Sequence, residues 1–315
     1  MFYTKTNSLP RPRLTEVLPP PEEIDKTLME LIGQKKNLSH QLGLVQAKLD
    51  FIAYSACGGK DDSQDVELYD GTLGVTRKFV DDHQAPVGQL QWSDNLQQLF
   101  AGRHEDPGNV SGERWATGAL IAGDLFLTAG HCFSPHPPGW QVPTRYNIPI
   151  SPPEIAKLMF VNFDYQVDGR TGRTKPGVSF PIVGLLEYPA NRGFNYGVDY
   201  AIAKLGHDAS GRKPHDLFGT LEVADEDLTT VNAMLCIIQH PSRREKKIEA
   251  GPMLDNRAGR IFYDSIDTAG GASGAPILGP DGKIVGVHGK GGCSDKGGFN
   301  SGVSIGAIRA ASDIL

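Results

Sequence analysis

Apolar and polar positions along this 315-residue chain follow two different periods. Between residues 24 and 52 the positions Ile24, Leu28, Leu31, Lys35, Leu38, Leu42, Val45, Leu49 and Ile52 are spaced alternately by four and three, and eight of these nine are apolar. That spacing holds one stripe on one face of a helix. It predicts an amphipathic or coiled-coil helix over 22–56, entered after Pro19-Pro20-Pro21 with Glu22 and Glu23 well placed in its first turn. Lys35 interrupts the stripe, and Gly33 and Gly43 each weaken a helix by about 1 kcal/mol relative to Ala. Such a stripe serves a homo-oligomer through residues 24–52 equally as well as a helix docked on the rest of the same chain.

Beyond residue 80 the apolar period shortens to that of strands. Runs rich in β-formers at 87–92, 157–167, 178–186, 233–239 and 283–288 are separated by turn residues drawn from 38 Gly and 22 Pro. Residues 119–127, broken by Ala122-Gly123-Asp124, read as a hairpin, and 197–205 as an alternating strand opened by Asp199. The remaining segments are polar: 1–21, Pro-rich and expected to be disordered, and 57–79, a linker or pro-segment containing Gly58-Gly59-Lys60-Asp61-Asp62-Ser63. Residues 80–315 are expected to form the main, β-rich domain.

Three short motifs in that domain carry candidate chemistry. The run Asp267-Thr-Ala-Gly-Gly-Ala-Ser-Gly-Ala-Pro276 surrounds Ser273 with small residues, so the backbone can approach a reacting group closely. A serine hydroxyl needs a base to become a nucleophile, and Leu127-Thr-Ala-Gly-His-Cys132 delivers His131 at a strand end. Asp199 supplies an acid between the two. Each residue alone has an ordinary explanation as a turn or core group; the order His, Asp, Ser in these contexts points to a nucleophilic serine.

Those motifs resemble the chymotrypsin-like (trypsin-like) serine proteases, with Thr128-Ala-Gly-His-Cys132, Asp199-Tyr-Ala-Ile202 and Gly271-Ala-Ser-Gly-Ala-Pro276 as the matching segments. Tyr263-Asp264, Thr268, Ile284-Val-Gly-Val-His288, Gly291-Gly292 and Ala85-Pro86-Val87 make the chain most similar to the glutamyl endopeptidase branch. The resemblance implies an all-β fold of two six-stranded antiparallel β-barrels, dividing near residue 190, and a serine endopeptidase acting on a protein or peptide. By position it makes His131 the general base, Asp199 its orienting acid and Ser273 the nucleophile, with the N–H groups of Gly271 and Ser273 as oxyanion hole. Gly289, Lys290 and Gly291 become the edge that pairs with substrate backbone. Thr268 and His288 imply cleavage after Glu or Asp, whereas Asp267 stands where trypsin-like members select Arg or Lys. Ala272 departs from the pattern, because many members carry there the Asp that receives a new N-terminal amine on zymogen activation. A partner-regulated or catalytically silent binding module is the remaining reading.

Composition narrows the partners. A formal net charge of −6 disfavours nucleic acid, no apolar run approaches membrane-spanning length, and residues 1–22 lack the apolar core of a secretory signal. The chain therefore reads as cytoplasmic, with secretion by another route left open. Four cysteines, Cys57, Cys132, Cys236 and Cys293, form no Cys-x-x-Cys pair and nine histidines do not cluster, so neither a metal nor another cofactor is expected. The resemblance implies a free Cys132, since Ala116 occupies the partner's place. The basic run Arg243-Arg244-Glu245-Lys246-Lys247 reads as a solvated loop, and His136 as exposed.

Overall fold

A computed structural model describes residues 61–189, 198–294 and 296–315, together with 29–31, 33–35, Leu38, Leu42 and Cys57. Residues 1–45 and 46–315 group as separate units. In the first, most of the predicted heptad lies outside the described residues; those described are helical, with Leu31, Leu38 and Leu42 exposed. Among the described residues no helix is long and apolar enough to cross a membrane.

Among its described residues the second unit holds 17 strands, most of them short, as the period of two predicts. Six of them close a barrel: β2 (Val87–Trp92), β4 (Arg114–Ala122), β5 (Leu125–Thr128), β8 (Met159–Phe163), β9 (Val178–Glu187) and β10 (Ala201–Leu205), in the order β10-β5-β4-β2-β8-β9. All neighbours are antiparallel. Its interior is apolar and aromatic, with Phe126, Phe163 and Phe180 fully buried and packed edge to face. A small sheet of β3 (Glu105–Asp106), β6 (Thr144–Arg145) and β7 (Ile148–Pro149) lies outside the barrel order.

The remaining strands form a curled half-barrel of eight instead of the second closed barrel of six. They are β1 (Gln64–Asp65), β11 (Met234–Gln239), β12 (Lys247–Pro252), β13 (Asp255–Arg257), β14 (Arg260–Tyr263), β15 (Pro276–Leu278), β16 (Ile284–Lys290) and β17 (Asn300–Ser304). The order is β1-β12-β11-β15-β16-β17-β14-β13. Closure would require β12 to meet β14. Both edges are already occupied: β1 pairs with β12 at Gln64↔Ile248, and β13 folds back on β14 at Asn256↔Ile261. Backbone hydrogen bonds there are satisfied without ring closure.

Part of the segment read as linker is ordered and packed. Besides β1, it contributes buried Val66 and Tyr69, and runs into a helix at Arg77–His83 capped by the Thr76 hydroxyl, which accepts from Phe79 N. Cys57, at its start, forms a disulfide with Cys293, while Cys132 and Cys236 are free and buried. The basic run is also not the solvated loop expected. Lys246 is fully buried with its ammonium donating to the Gln84 carbonyl at 2.8 Å, and burial lowers its pKa to about 7. Arg243 lies over the Trp140 ring, 4.4 Å from its centroid, and pairs with Glu113 at 3.0 Å.

Candidate active site

His131 enters the site because β5 ends at Thr128 and the chain turns through a short 3-10 helix, Gly130–Phe133. Asp199 arrives just before β10, the strand that pairs with β5, so two adjacent strand ends present the two side chains together. Nδ1 of His131 lies 2.6 Å from Oδ2 of Asp199, and the backbone N–H of His131 donates to Oδ1 at 2.8 Å. With both carboxylate oxygens engaged, the imidazole plane is held by the acid. Burial acts to lower the His131 pKa, but the Asp199 charge and hydrogen bond outweigh it and the net shift is upward. The Asp199 carboxyl is raised by burial and lowered more strongly by His131, for a net downward shift.

Ser273 comes from the other sheet and is fixed mainly through its backbone. Its carbonyl accepts from Thr117 N at 2.9 Å. The next residue, Gly274, has φ +84° and its N–H donates to the His288 carbonyl at 2.8 Å. A Cβ on Gly274 would stand 2.1 Å from Thr128 Oγ1 and 2.8 Å from Ala129 N, so only glycine lets the serine loop touch the strand end that carries His131. Gly271 is equally constrained: at φ +105° a Cβ would lie 2.5 Å from the His240 carbonyl. Among the described residues, the N–H groups of Gly271 and Ser273 have no acceptor, while those of Ala272 and Gly274 donate to Ala269 and His288 carbonyls. Two free donors flanking a half-exposed serine are suited to receive an oxyanion. No hydrogen bond joins Ser273 Oγ to His131 among the described residues.

Thr117 is the residue that sequence reading missed. It sits fully buried in β4, where its hydroxyl donates to the Gly271 carbonyl at 2.7 Å and accepts from His240 N at 3.0 Å, while its own carbonyl accepts from the Thr128 hydroxyl at 2.7 Å. One side chain therefore ties the closed barrel to the serine loop. A lone threonine within an apolar run gives no signal of that role in sequence.

The candidate pocket residues divide into two groups. His288 and Thr268 are buried, and Nδ1 of His288 is hydrogen-bonded to the Tyr263 hydroxyl. Burial, and then the proximity of His131, lowers the His288 pKa to about 3, so it is neutral. Asp267 instead accepts from Cys57 N at 2.6 Å, through the segment that the disulfide with Cys293 anchors. Burial, with the charges of the nearby acids Asp62 and Asp61, moves its pKa to about 6 against hydrogen bonds from the backbone N–H groups of Cys57 and Asp62. It does not pair with His288. Gly289, Lys290 and Gly291 lie at the end of β16, where the register with β17 shifts between His288 and Lys290, and a Cβ on Gly289 would approach Asp199 Oδ2 to 3.3 Å.

Comparisons with known proteins bear on the family and the fold. The family model described as trypsin-like peptidase domain matches residues 116–287. Among curated relatives, the uncharacterized protein y4fB of Sinorhizobium fredii is 29% identical over 190 residues, 55% of this chain and 25% of that protein, so the match spans about a quarter of the relative. Among solved structures, a Glu endopeptidase in complex with MPD has a TM-score of 0.50 at 16% identity, covering 81% of this chain and 99% of that one. The protease Anisep from Arthrobacter nicotinovorans has a TM-score of 0.47 at 15% identity, covering 72% and 93%. The Glu endopeptidase likeness shows the fold.

Proposed function

The chain belongs to the trypsin-like peptidase domain family, and from that premise we propose that it is a serine endopeptidase working through an acyl-enzyme. The observation that carries this reading is the His131–Asp199 pair at 2.6 Å, set beside the serine loop with its two free N–H donors. With Nδ1–H donating to Asp199, Nε2 of His131 is left as the acceptor for the Ser273 proton. Ser273 Oγ attacks the carbonyl carbon as that proton passes to Nε2, and the N–H groups of Gly271 and Ser273 receive the oxyanion. His131 then protonates the leaving amine. A water repeats the sequence on the acyl-enzyme, with His131 again as base.

Cleavage after Glu or Asp fits the pocket better than cleavage after Arg or Lys. When the Tyr263 hydroxyl donates to Nδ1 of His288, the imidazole carries its proton on Nε2 and can donate it to an acidic side chain, with the Thr268 hydroxyl as a second donor. Asp267 opposes this reading only if its carboxylate faces the substrate. Its bond to Cys57 N and its elevated pKa, about 6, both reduce that repulsion. A peptide library varied at the residue before the scissile bond tests the assignment, with His288→Ala and Asp267→Ala beside the wild type. Selection for Glu or Asp that is lost in His288→Ala is expected. Cleavage after Arg or Lys that survives His288→Ala and vanishes in Asp267→Ala would establish the opposite specificity.

The heptad at 24–52 adds self-association to this proposal. Light scattering should give an oligomer for the full chain and a monomer after removal of its first 52 residues, a cut that retains Cys57 and its disulfide; monomers in both cases would refute it.

A further inference from the structure

The bridge between Cys57 and Cys293 spans 236 residues of sequence and closes beside the candidate pocket. Asn300, fully buried at the start of β17, ties the two together. Its Nδ2 donates to the Ile266 carbonyl at 2.9 Å and stands 3.5 Å from Cys57 Sγ. Its Oδ1 accepts from Gly292 N at 2.8 Å and from Cys293 N at 3.1 Å. Ile266 precedes Asp267 and Thr268, and Gly292 follows the Gly289–Gly291 edge, so one amide joins the disulfide, the pocket loop and the substrate edge. Beyond Cys57 the same segment is held again, by a hydrogen bond between the Asp62 and Glu249 side chains and by the pairing of Gln64 with Ile248.

The proposed chemistry gives this segment no part, yet it supplies hydrogen bonds to the Asp267 carboxylate, from Cys57 N at 2.6 Å and from the backbone N–H of Asp62. A buried carboxylate without donors would repel an acidic side chain or pair with a basic one. We infer that Cys57 is a specificity-determining residue: locked by its disulfide, its N–H engages the Asp267 carboxylate and so favours Glu or Asp over Arg or Lys before the scissile bond. This rests on the pocket assignment made above and deepens it. The same bridge makes the preference sensitive to thiol reductants. A dithiol supplies two electrons and two protons; the Sγ–Sγ bond breaks, two thiols form, and the reagent closes to its own cyclic disulfide. Released from Cys293, Cys57 is no longer fixed against Asp267, and a satisfied acceptor becomes an uncovered charge.

The test reads the ratio of kcat/KM for matched peptides carrying Glu or Lys before the scissile bond. It is measured on the full chain, oxidised and after dithiothreitol, and on Asp267→Asn treated the same way, with circular dichroism checking the fold. Cys132 and Cys236 are free, so Cys57–Cys293 is the bond the reagent opens. Reduction should lower the Glu-to-Lys ratio of the wild type by about tenfold or more, the size expected when a hydrogen bond to a charged group is lost, and Cys57→Ser should do so without reagent. In Asp267→Asn reduction should leave the ratio within about twofold, since no charge is uncovered. An unmoved ratio in a reduced, folded wild type overturns the inference, as does an equal fall in Asp267→Asn. Should opening the bridge unfold the chain, oxidised Asp267→Asn decides: with the carboxylate engaged its ratio stays within about twofold of the wild type, and a larger change overturns the inference. A wild type that prefers Lys refutes the acidic reading of the pocket, while the direction of the reductive shift still decides this one. Hydrolysis of neither peptide by any form refutes both.

Discussion

Substituting Thr117 by valine should both destabilise the protein and slow it, because one hydroxyl serves two buried partners across the cleft. The change nearly preserves shape, so no cavity opens, but the Gly271 carbonyl loses a donor at 2.7 Å and the His240 N–H loses its acceptor at 3.0 Å. Each buried group left unsatisfied costs about 1–3 kcal/mol. The added methyl returns about 0.8 kcal/mol. A net loss of about 3 kcal/mol follows, or roughly 6–12 °C in melting temperature for a domain of this size. The same bond holds the peptide next to the Gly271 N–H, so turnover should fall by about tenfold or more through a displaced oxyanion donor. Urea unfolding and steady-state hydrolysis of a peptide would be measured on Thr117→Val with Thr117→Ser as control, the serine variant restoring most of both quantities. A valine variant within about 0.5 kcal/mol of the wild type and with unchanged turnover would refute the view that Thr117 links the barrel to the serine loop.

Asp199→Asn should lower turnover by about four orders of magnitude by removing the charge that fixes the His131 tautomer. Since Asp199 holds the His131 pKa above its ordinary 6.5, the acid limb of kcat/KM should lie above pH 6.5 and move down in Asp199→Asn; an unmoved limb contradicts the assignment of His131 as base. His240 is held near a pKa of about 3 by burial and the Lys246 charge, so its contribution to stability is present above the unfolded value of about 6.5 and is lost as pH falls from there towards 3. Comparing unfolding of the wild type with His240→Gln over that window should show the difference moving in the variant's favour by up to about 1 kcal/mol per pH unit; a constant difference argues against a buried neutral His240.

What the sequence discloses and what it conceals separate along the range of the interactions concerned. β2 coincides with the 87–92 run and β11 nearly with 233–239, because a continuous apolar stretch between turn residues needs no partner to be read. The run 157–167 shrinks to Met159–Phe163, since Ser151 and Glu154 form a capping box that opens a helix at Pro152–Lys157 and carries it into the predicted strand. Pairing is non-local, so alternation could not reveal that β1 and β13 cover the edges of the half-barrel. The Cys57–Cys293 bridge joins positions 236 residues apart and leaves no mark in cysteine spacing. His131 and Asp199 were legible because short motifs surround them. Thr117 was not, being one polar residue within the apolar run 115–121 of β4 whose meaning depends on a distant partner.

The central claim is that Ser273 is a nucleophile activated by His131, and covalent labelling tests it most directly. A fluorophosphonate applied to the full chain should modify Ser273 stoichiometrically, as located by peptide mass mapping, abolish hydrolysis, and fail to label Ser273→Ala or a denatured control. Hydrolysis that persists in Ser273→Ala, or a folded wild type that the reagent does not modify, would contradict the account.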